Sequence, residues 1–416
     1  MKILWVKPGK LLPLDTGGKL RTYNILRKLA ATQELTYLTY YGGKRDDEYE
    51  REILTHLPGT VSIYTTARDT NPTESYLDYL RRLAWRAPYA VSKFTSPQVQ
   101  EVLKAWIFEK RFDIAVCDFL SSTLNFPENL ATPTVLFQHN VETVLWKRRA
   151  DFEVKWLDRT VAKIEYSKMR RFEPKQARRF HRVIAVSEAD RQAMSSMVDP
   201  SHISVVPTGV DLSKFQYDPA SKPSGPIVIF TGSMDWKPNI DGVEYFCKEI
   251  WPLVTAKVPA ARFRIVGRDP HSRVKKLASE SVEVTGTVPS IVDHLRDAAV
   301  FVVPLRIGGG TRIKIYEGMA MGKATVSTTV GAEGLDVEHG RDILLEDRPA
   351  TFADAIVTLL KDEGVRVRYE QAAAATARKY DWSVIAQHFV ETLEKTIAET
   401  AGTNSSAGEQ TATVRS

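Results

Sequence analysis

Two cysteines in 416 residues exclude a scaffold built on disulfides, and neither Cys117 nor Cys247 has a CxxC partner. Both sit in apolar surroundings that suit core packing in a reducing compartment. Long apolar runs are missing too. Stretches such as Ala298–Leu305 fall well short of the ~18 residues that span a bilayer. The opening MKILWVKPGK has too short an apolar run for a secretory signal, so it reads as the first strand of a cytoplasmic protein. No GxGxxG or Walker A spacing occurs, which removes the commonest nucleotide signatures. No Asp-x-Asp triplet and no His/Cys cluster at zinc-ligand spacing occurs either, so no metal is expected.

Charge of one sign is nearly balanced, with 57 Lys+Arg against 51 Asp+Glu and a net +6. Without a zinc-finger, helix-turn-helix or aromatic RNA-binding signature, nucleic acid is not an expected partner. The positive charge is concentrated, however. Between Thr143 and Arg182 stand thirteen Lys/Arg and five acids. Two readings fit this stretch: solvated helical faces, or a surface for anionic lipid or phosphorylated substrate.

Short β-branched runs alternate with helical periodicity along most of the chain. They lie at Lys2–Val6, Leu35–Tyr40, Val61–Thr65, Ile114–Cys117, Thr134–Phe137, Val183–Val186 and Ile203–Val206. A second series follows at Ile227–Thr231, Arg262–Val266, Val282–Thr285, Val300–Val303, Ala324–Ser327 and Ile343–Leu345. Such alternation predicts parallel sheets covered by helices. The Pro-, Gly- and Ser-rich stretch 207–226 reads as a linker. The expected architecture is therefore α/β, two doubly wound Rossmann-like domains (1–206 and 227–380) facing across a cleft. An amphipathic helix at 381–397 should pack back on them, and 398–416 should be a disordered tail.

In open α/β sheets, ligands bind beyond the carboxyl ends of strands. Two glycine loops occupy such places. In PLRIGGGTRIKIYEGMAMGKATV, Gly308, Gly309 and Gly310 allow close backbone approach, and a helix starting at Thr311 would offer its N–H groups to a phosphate. Arg312 and Lys314 put positive charge in a first turn that ordinarily favours acids, which makes sense beside an anion. Glu317 lies six residues beyond Thr311, within reach of ribose hydroxyls. The same residues also suit a plain Gly-rich turn before an amphipathic helix. The second loop, Pro13–Arg21, places Gly17 and Gly18 either against a ligand or in a tight βα turn.

Together, GGKLR after the first strand, VVPTGVDLSKF, FTGSMDWKPN, FRIVGRDP and VPLRIGGGTRIKIYEGMAMGKATVSTTVGAEGL resemble the GT-B-fold retaining glycosyltransferases of family 4. The likeness is particularly to bacterial sugar transferases of exopolysaccharide assembly. It covers nearly the whole chain except the tail and is strongest from Val205 to Leu345. It implies a GT-B enzyme with the acceptor on the first domain and a nucleotide-diphosphate sugar on the second. The ribose would bind Glu317 and the diphosphate the helix at Thr311, with Lys237 and Arg268 as further donor-side cations. In FQHNVE, His139 would be the catalytic histidine near the transferred sugar and Glu142 an acceptor-side contact. The family's second acid, eight positions before Glu317, is replaced by Gly309, and the Arg after Gly232 by Ser233. Backbone amides of Gly309 and Gly310, with Lys237, Arg312 and Lys314, would make up that loss.

The resemblance further implies retention of configuration, no cofactor or metal beyond the sugar nucleotide, and a glycan or lipid-linked acceptor. An anionic inner membrane face could be met through 143–182, making the enzyme peripheral. Two other readings share the donor cradle: a nucleotide-sugar epimerase, and a non-catalytic scaffold that binds sugar nucleotide.

Overall fold

The computed structural model describes residues 1–65 and 72–413. They divide into two compact units, Met1–Pro207 together with the chain from Ile385 onward, and Thr208–Val384. Among the described residues the first unit holds a seven-stranded sheet: β1 (Lys2–Pro8), β2 (Glu34–Tyr41), β3 (Thr60–Tyr64), β4 (Ile114–Asp118), β5 (Thr134–Phe137), β6 (Arg182–Ala185) and β7 (Ile203–Val205). The order is β3-β2-β1-β4-β5-β6-β7, every pair parallel. β1 is central, with Ile3 to Val6 opposite Leu35 to Leu38 on one side and Ile114 to Cys117 on the other. All of Ile3–Val6 and Ile114–Cys117 are fully buried, the expected state of strands covered on both faces.

The second unit repeats the plan with six strands: β8 (Ile227–Thr231), β9 (Arg262–Val266), β10 (Val282–Gly286), β11 (Val300–Val303), β12 (Ala324–Ser327) and β13 (Leu344–Leu345). Their order is β10-β9-β8-β11-β12-β13, again parallel throughout. Each strand read from sequence is present within one or two residues of its expected ends. Cys117 is buried in β4, and Cys247 is half-buried in the helical segment Phe246–Ile250.

Three expectations change. The presumed linker is largely part of the second unit: Val210 N–H donates to the Tyr380 carbonyl at 2.8 Å, Phe215 is buried, and Gly322 faces the Tyr217 ring. Val210, Phe215 and Tyr217 supply apolar anchors that the polar composition around them conceals. The amphipathic helix is longer than expected, Trp382–Thr413, so most of the presumed tail continues it. Residues 414–416 lie outside the described residues. Gly402, Asn404, Ser405, Ser406 and Gly408 in this extension are weak helix formers, so the helix owes its length to its upstream anchoring and not to propensity. Anchoring comes from Phe389, whose ring lies 5.1 Å from both Trp5 and Phe137, and from Arg182, which donates to Thr396 Oγ1 at 3.1 Å and pairs with Glu399. The third change concerns a helix start and is described with the site.

Phe389→Ala should remove this aromatic contact and leave a cavity against β1. The expected loss is roughly 3–5 kcal/mol, read from urea unfolding of the full chain. A loss below about 1 kcal/mol would show that the helix does not hold the sheet.

Candidate active site

In both sheets the winding reverses beside the central strand, between β1 and β4 and between β8 and β11. Connections leaving adjacent strands there run to opposite faces, which opens a crevice at the carboxyl end of each sheet. The polar residues of interest gather at these two places, one in each unit.

In the first unit β4 ends at Asp118, and Phe119 follows with φ 70°, a costly conformation for a bulky residue. The Asp118 carboxylate is buried. Its Oδ2 accepts from Trp5 Nε1 at 3.0 Å and Thr22 Oγ1 at 2.6 Å, and its Oδ1 lies 2.7 Å from His139 Nε2. His139 follows β5, is itself buried, and stacks on the Phe119 ring at 3.9 Å between centroids. Gly18 completes the enclosure. A Cβ there would lie 2.8 Å from Phe119 Cζ and 3.6 Å from His139 Nδ1. Gly17 and Gly18 are thus the first residues of the helix Gly17–Leu29, capped by Thr16, and the Phe119 ring leaves no room for a larger residue at Gly18.

Burial pushes the His139 pKa down to about 4, with Arg21 and Lys7 adding to the shift and Asp118 opposing it. The imidazole is therefore neutral near pH 7, with Nε2–H directed to Asp118 and the Nδ1 lone pair toward Gly18. Burial also works against charge on Asp118, yet His139, Lys7 and Thr22 hold its carboxyl below the usual range. Glu142 opens the helix Glu142–Phe152. Its N–H donates to Glu173 Oε1 at 2.9 Å, and the Thr143 N–H donates to Oε2 at 2.7 Å. Gln138 Nε2 donates to the same Oε1 at 3.0 Å, so buried Glu173 caps that helix and ties down the His139 loop. Burial, with Glu173 close by, pushes the Glu142 carboxyl up to about 7.

In the second unit the glycine loop follows β11. Gly308 and Gly310 have φ of 117° and 78°, and the helix runs Ile313–Ala320 with Arg312 as its N-cap. The start expected at Thr311 is thus two residues late, because left-handed Gly310 prolongs the turn. Arg312 is buried, and its guanidinium donates to the Gly309 and Gly310 carbonyls, holding the loop in shape. Thr311 is half-buried between them.

Lys314 projects toward the loop after β8. Its Nζ donates to Asn239 Oδ1 at 3.0 Å, and a Cβ on Gly232 would lie 2.5 Å from it. Asn239 in turn donates to the Ser233 carbonyl at 2.8 Å. Gly267, after β9, presses on the same loop, since a Cβ there would meet the Gly232 carbonyl at 1.6 Å. Arg268 Nε donates to Ser233 Oγ at 3.0 Å. Lys237 begins the helix Lys237–Tyr245 and is exposed. Burial, with Arg312 adding to it, lowers Lys314 to about 7. Burial raises Glu317, with Lys214 and Lys314 opposing. Among the described residues no group hydrogen-bonds to the Glu317 carboxylate.

The arrangement places glycine backbone, an ammonium and a carboxylate around one strand-end crevice, as an anionic, polyhydroxylated ligand requires. Two family models match the chain: Glycosyltransferase Family 4 over residues 22–214 and Glycosyl transferases group 1 over residues 225–362. The chain is a GT-B glycosyltransferase of family 4. A protein of the cps region of Klebsiella pneumoniae is 21% identical over 80% of this chain and 91% of its own length. The phosphatidyl-myo-inositol mannosyltransferase of Mycobacterium leprae is 28% identical, but over only 51% of this chain and 58% of that enzyme. Anabaena Alr3699/HepE, solved with UDP and glucose, shares the fold at a TM-score of 0.63 and 16% identity, covering 95% of this chain and all of that one. Sucrose-phosphate synthase from Thermosynechococcus elongatus does so at 0.71 and 16%, covering 96% of this chain and 100% of its own.

For this glycosyltransferase, sequence reasoning named His139, Glu142, Lys314 and Glu317 but missed Asp118, Glu173 and Asn239. Asp118 was detectable as a carboxylate at the carboxyl end of a strand, and Asn239 stands in the DWKPN stretch. Nothing local marks Glu173. Among the described residues no group of three or more His, Cys, Asp or Glu is placed to hold a metal.

Long-range proton–nitrogen NMR of the imidazoles should show His139 as one neutral tautomer, protonated at Nε2, from about pH 5 to 8. A ring that titrates near its ordinary value of about 6.5 would show that the pairing with Asp118 offsets the effect of burial.

Proposed function

We propose that this enzyme transfers a sugar from a nucleotide-diphosphate sugar to a glycan or lipid-linked acceptor, with retention at the anomeric carbon and without a metal. Exopolysaccharide or cell-surface glycan synthesis is the setting, a reading supported by the likeness to the cps-region protein. The observation that carries the donor assignment is Glu317: a half-buried carboxylate with no hydrogen-bond donor among the described residues, about one helical turn beyond Lys314 and seven residues past Gly310. Such a carboxylate suits two ribose hydroxyls. The UDP-bound fold relatives support the same ligand class.

On this reading the ammonium of Lys314 and the amides of Gly309 and Gly310 stabilise negative charge as the diphosphate departs. Lys314 takes over the place left by Ser233, since its Nζ lies against Gly232. Arg312 contributes by holding the loop. His139, on the acceptor-side unit, presents a neutral ring whose Nδ1 accepts from no donor among the described residues.

Titration calorimetry with UDP, GDP and their sugar conjugates in excess EDTA tests the donor site. One nucleotide series should bind, and Glu317→Ala should weaken it at least about tenfold, as loss of hydrogen bonds to a charged group predicts. Binding indifferent to Glu317 would overturn the assignment. Isomerisation of the donor without acceptor would instead identify an epimerase, and binding without turnover a scaffold. Product anomeric configuration by NMR checks retention.

A pH dependence follows from Lys314. An anion stabilises its ammonium, so binding takes up a proton near pH 7 and weakens as pH rises from about 7 to 9. The slope should approach tenfold per pH unit, and Lys314→Met should flatten it.

A further inference from the structure

The loop after β8 and the glycine loop after β11 meet where the second sheet reverses its winding. Pro238 Cγ lies 3.3 Å from where a Gly308 Cβ would stand, and Asn239 receives the Lys314 ammonium at 3.0 Å. Trp236 belongs to the same wall. Its carbonyl accepts from the Asn239 N–H at 2.9 Å and the Ile240 N–H at 3.1 Å, which fixes its backbone at the start of the helix Lys237–Tyr245. The side chain is left uncovered. Trp236 is 41% exposed, and among the described residues of the second unit the only other large apolar side chains so exposed are Leu253 and Val384. A lone exposed apolar side chain is ordinary on an outer surface. An open indole in the wall of a strand-end crevice is a different matter, since ligand sites are lined by aromatic area set beside a few polar groups.

Two features define what this indole offers. The Arg312 guanidinium lies 5.5 Å from the ring centroid, a cation–π distance, and Arg312 is itself held by the Gly309 and Gly310 carbonyls. The ring is thereby tied to the glycine loop. Among the described residues the indole N–H has no acceptor, so apolar ring surface and a hydrogen-bond donor stand open together. A pyranose ring is the complement of such a surface, with C–H groups gathered on its faces and hydroxyls around its rim. The glycine loop contributes no side chain to this part of the crevice. Recognition of a sugar ring there falls to shape and C–H contact.

The order of groups along the crevice tells which part of a donor meets the ring. Glu317 stands five residues beyond Arg312, about 7.5 Å along the helix axis, with Lys314 between them. With ribose at Glu317 and diphosphate at Lys314 and the glycine loop, a nucleotide sugar continues past Arg312 toward Trp236, and its base leaves in the opposite direction. We infer that Trp236 is the platform for the transferred hexopyranose of the nucleotide sugar, the residue that distinguishes a sugar conjugate from the bare nucleoside diphosphate. The inference rests on the donor reading above and deepens it by naming what holds the sugar. A role for the indole in stacking the base or guarding the diphosphate predicts a different pattern of binding, and the two are separable.

Calorimetry on the full chain with UDP, UDP-glucose, UDP-galactose, GDP and GDP-mannose provides the test. In the series that binds, Trp236→Ala should weaken a sugar conjugate by about fivefold or more and change its nucleoside diphosphate by less than about twofold, with an unchanged melting temperature. Trp236→Phe keeps a ring and should retain most of the affinity. Trp236→Leu keeps apolar bulk without a ring and should behave like Trp236→Ala. Equal weakening of nucleotide and conjugate would place the indole at the base or the diphosphate and overturn the platform. Undiminished conjugate binding by Trp236→Ala and Trp236→Leu overturns it as well, while leaving the donor site in place. Absence of binding by the natural chain in every series would overturn the donor reading itself, and the platform with it.

Discussion

Parallel pairing constrains everything else in this enzyme. Parallel strands cannot be joined by tight turns, so each crossover carries a helix and both faces of each sheet are covered. What remains open is the carboxyl end, and only where winding reverses do neighbouring connections part. β1 and β8 occupy those central positions. Asp118 and His139 stand beyond one reversal, and Gly232, Gly267 and the Gly308–Gly310 loop beyond the other, where the crossovers part.

The two crevices treat buried charge differently. Asp118 Oδ2 is supplied from within by Trp5 and Thr22, with Oδ1 2.7 Å from His139 Nε2 and Lys7 nearby, so the carboxylate is held beside the imidazole by the chain's own groups. In the second unit Lys314 and Glu317 are held in low-dielectric surroundings, each shifted toward its neutral form, with Asn239 the hydrogen-bond partner of Lys314. Their electrostatic demands match a ligand that is anionic at one end and hydroxylated at the other. Preorganisation dominates in one unit and ligand complementarity in the other.

The basic stretch shows how composition and structure divide the information. Thirteen cations against five acids are evident in the sequence and leave a solvated face and an anionic-surface contact equally open. The helices Glu142–Phe152 and Trp156–Ala177 add that Glu165 and Glu173 face inward and that Phe152, Val154, Trp156 and Leu157 stand exposed around the turn between them. Neither fact follows from periodicity, since the second helix is polar on most of its circumference and the turn lies where helical periodicity ends.

By itself, the sequence determined the strands, their parallel arrangement in two series, and the glycine loop with Lys314 and Glu317 beyond it. These depend on runs of β-branched residues and short-range spacing, and sterics and hydrophobic burial read such patterns locally. Tertiary structure alone decided the rest. Asp118 finds Thr22 and Trp5 across 96 and 113 residues, and Glu173 caps a helix that begins 31 positions before it. Val210 is drawn into the second unit by Tyr380, and Arg312 turns onto its own loop. A buried polar group must take whichever partner the fold brings within 3 Å, and that choice is made by chain segments meeting in space, which local sequence pattern does not encode.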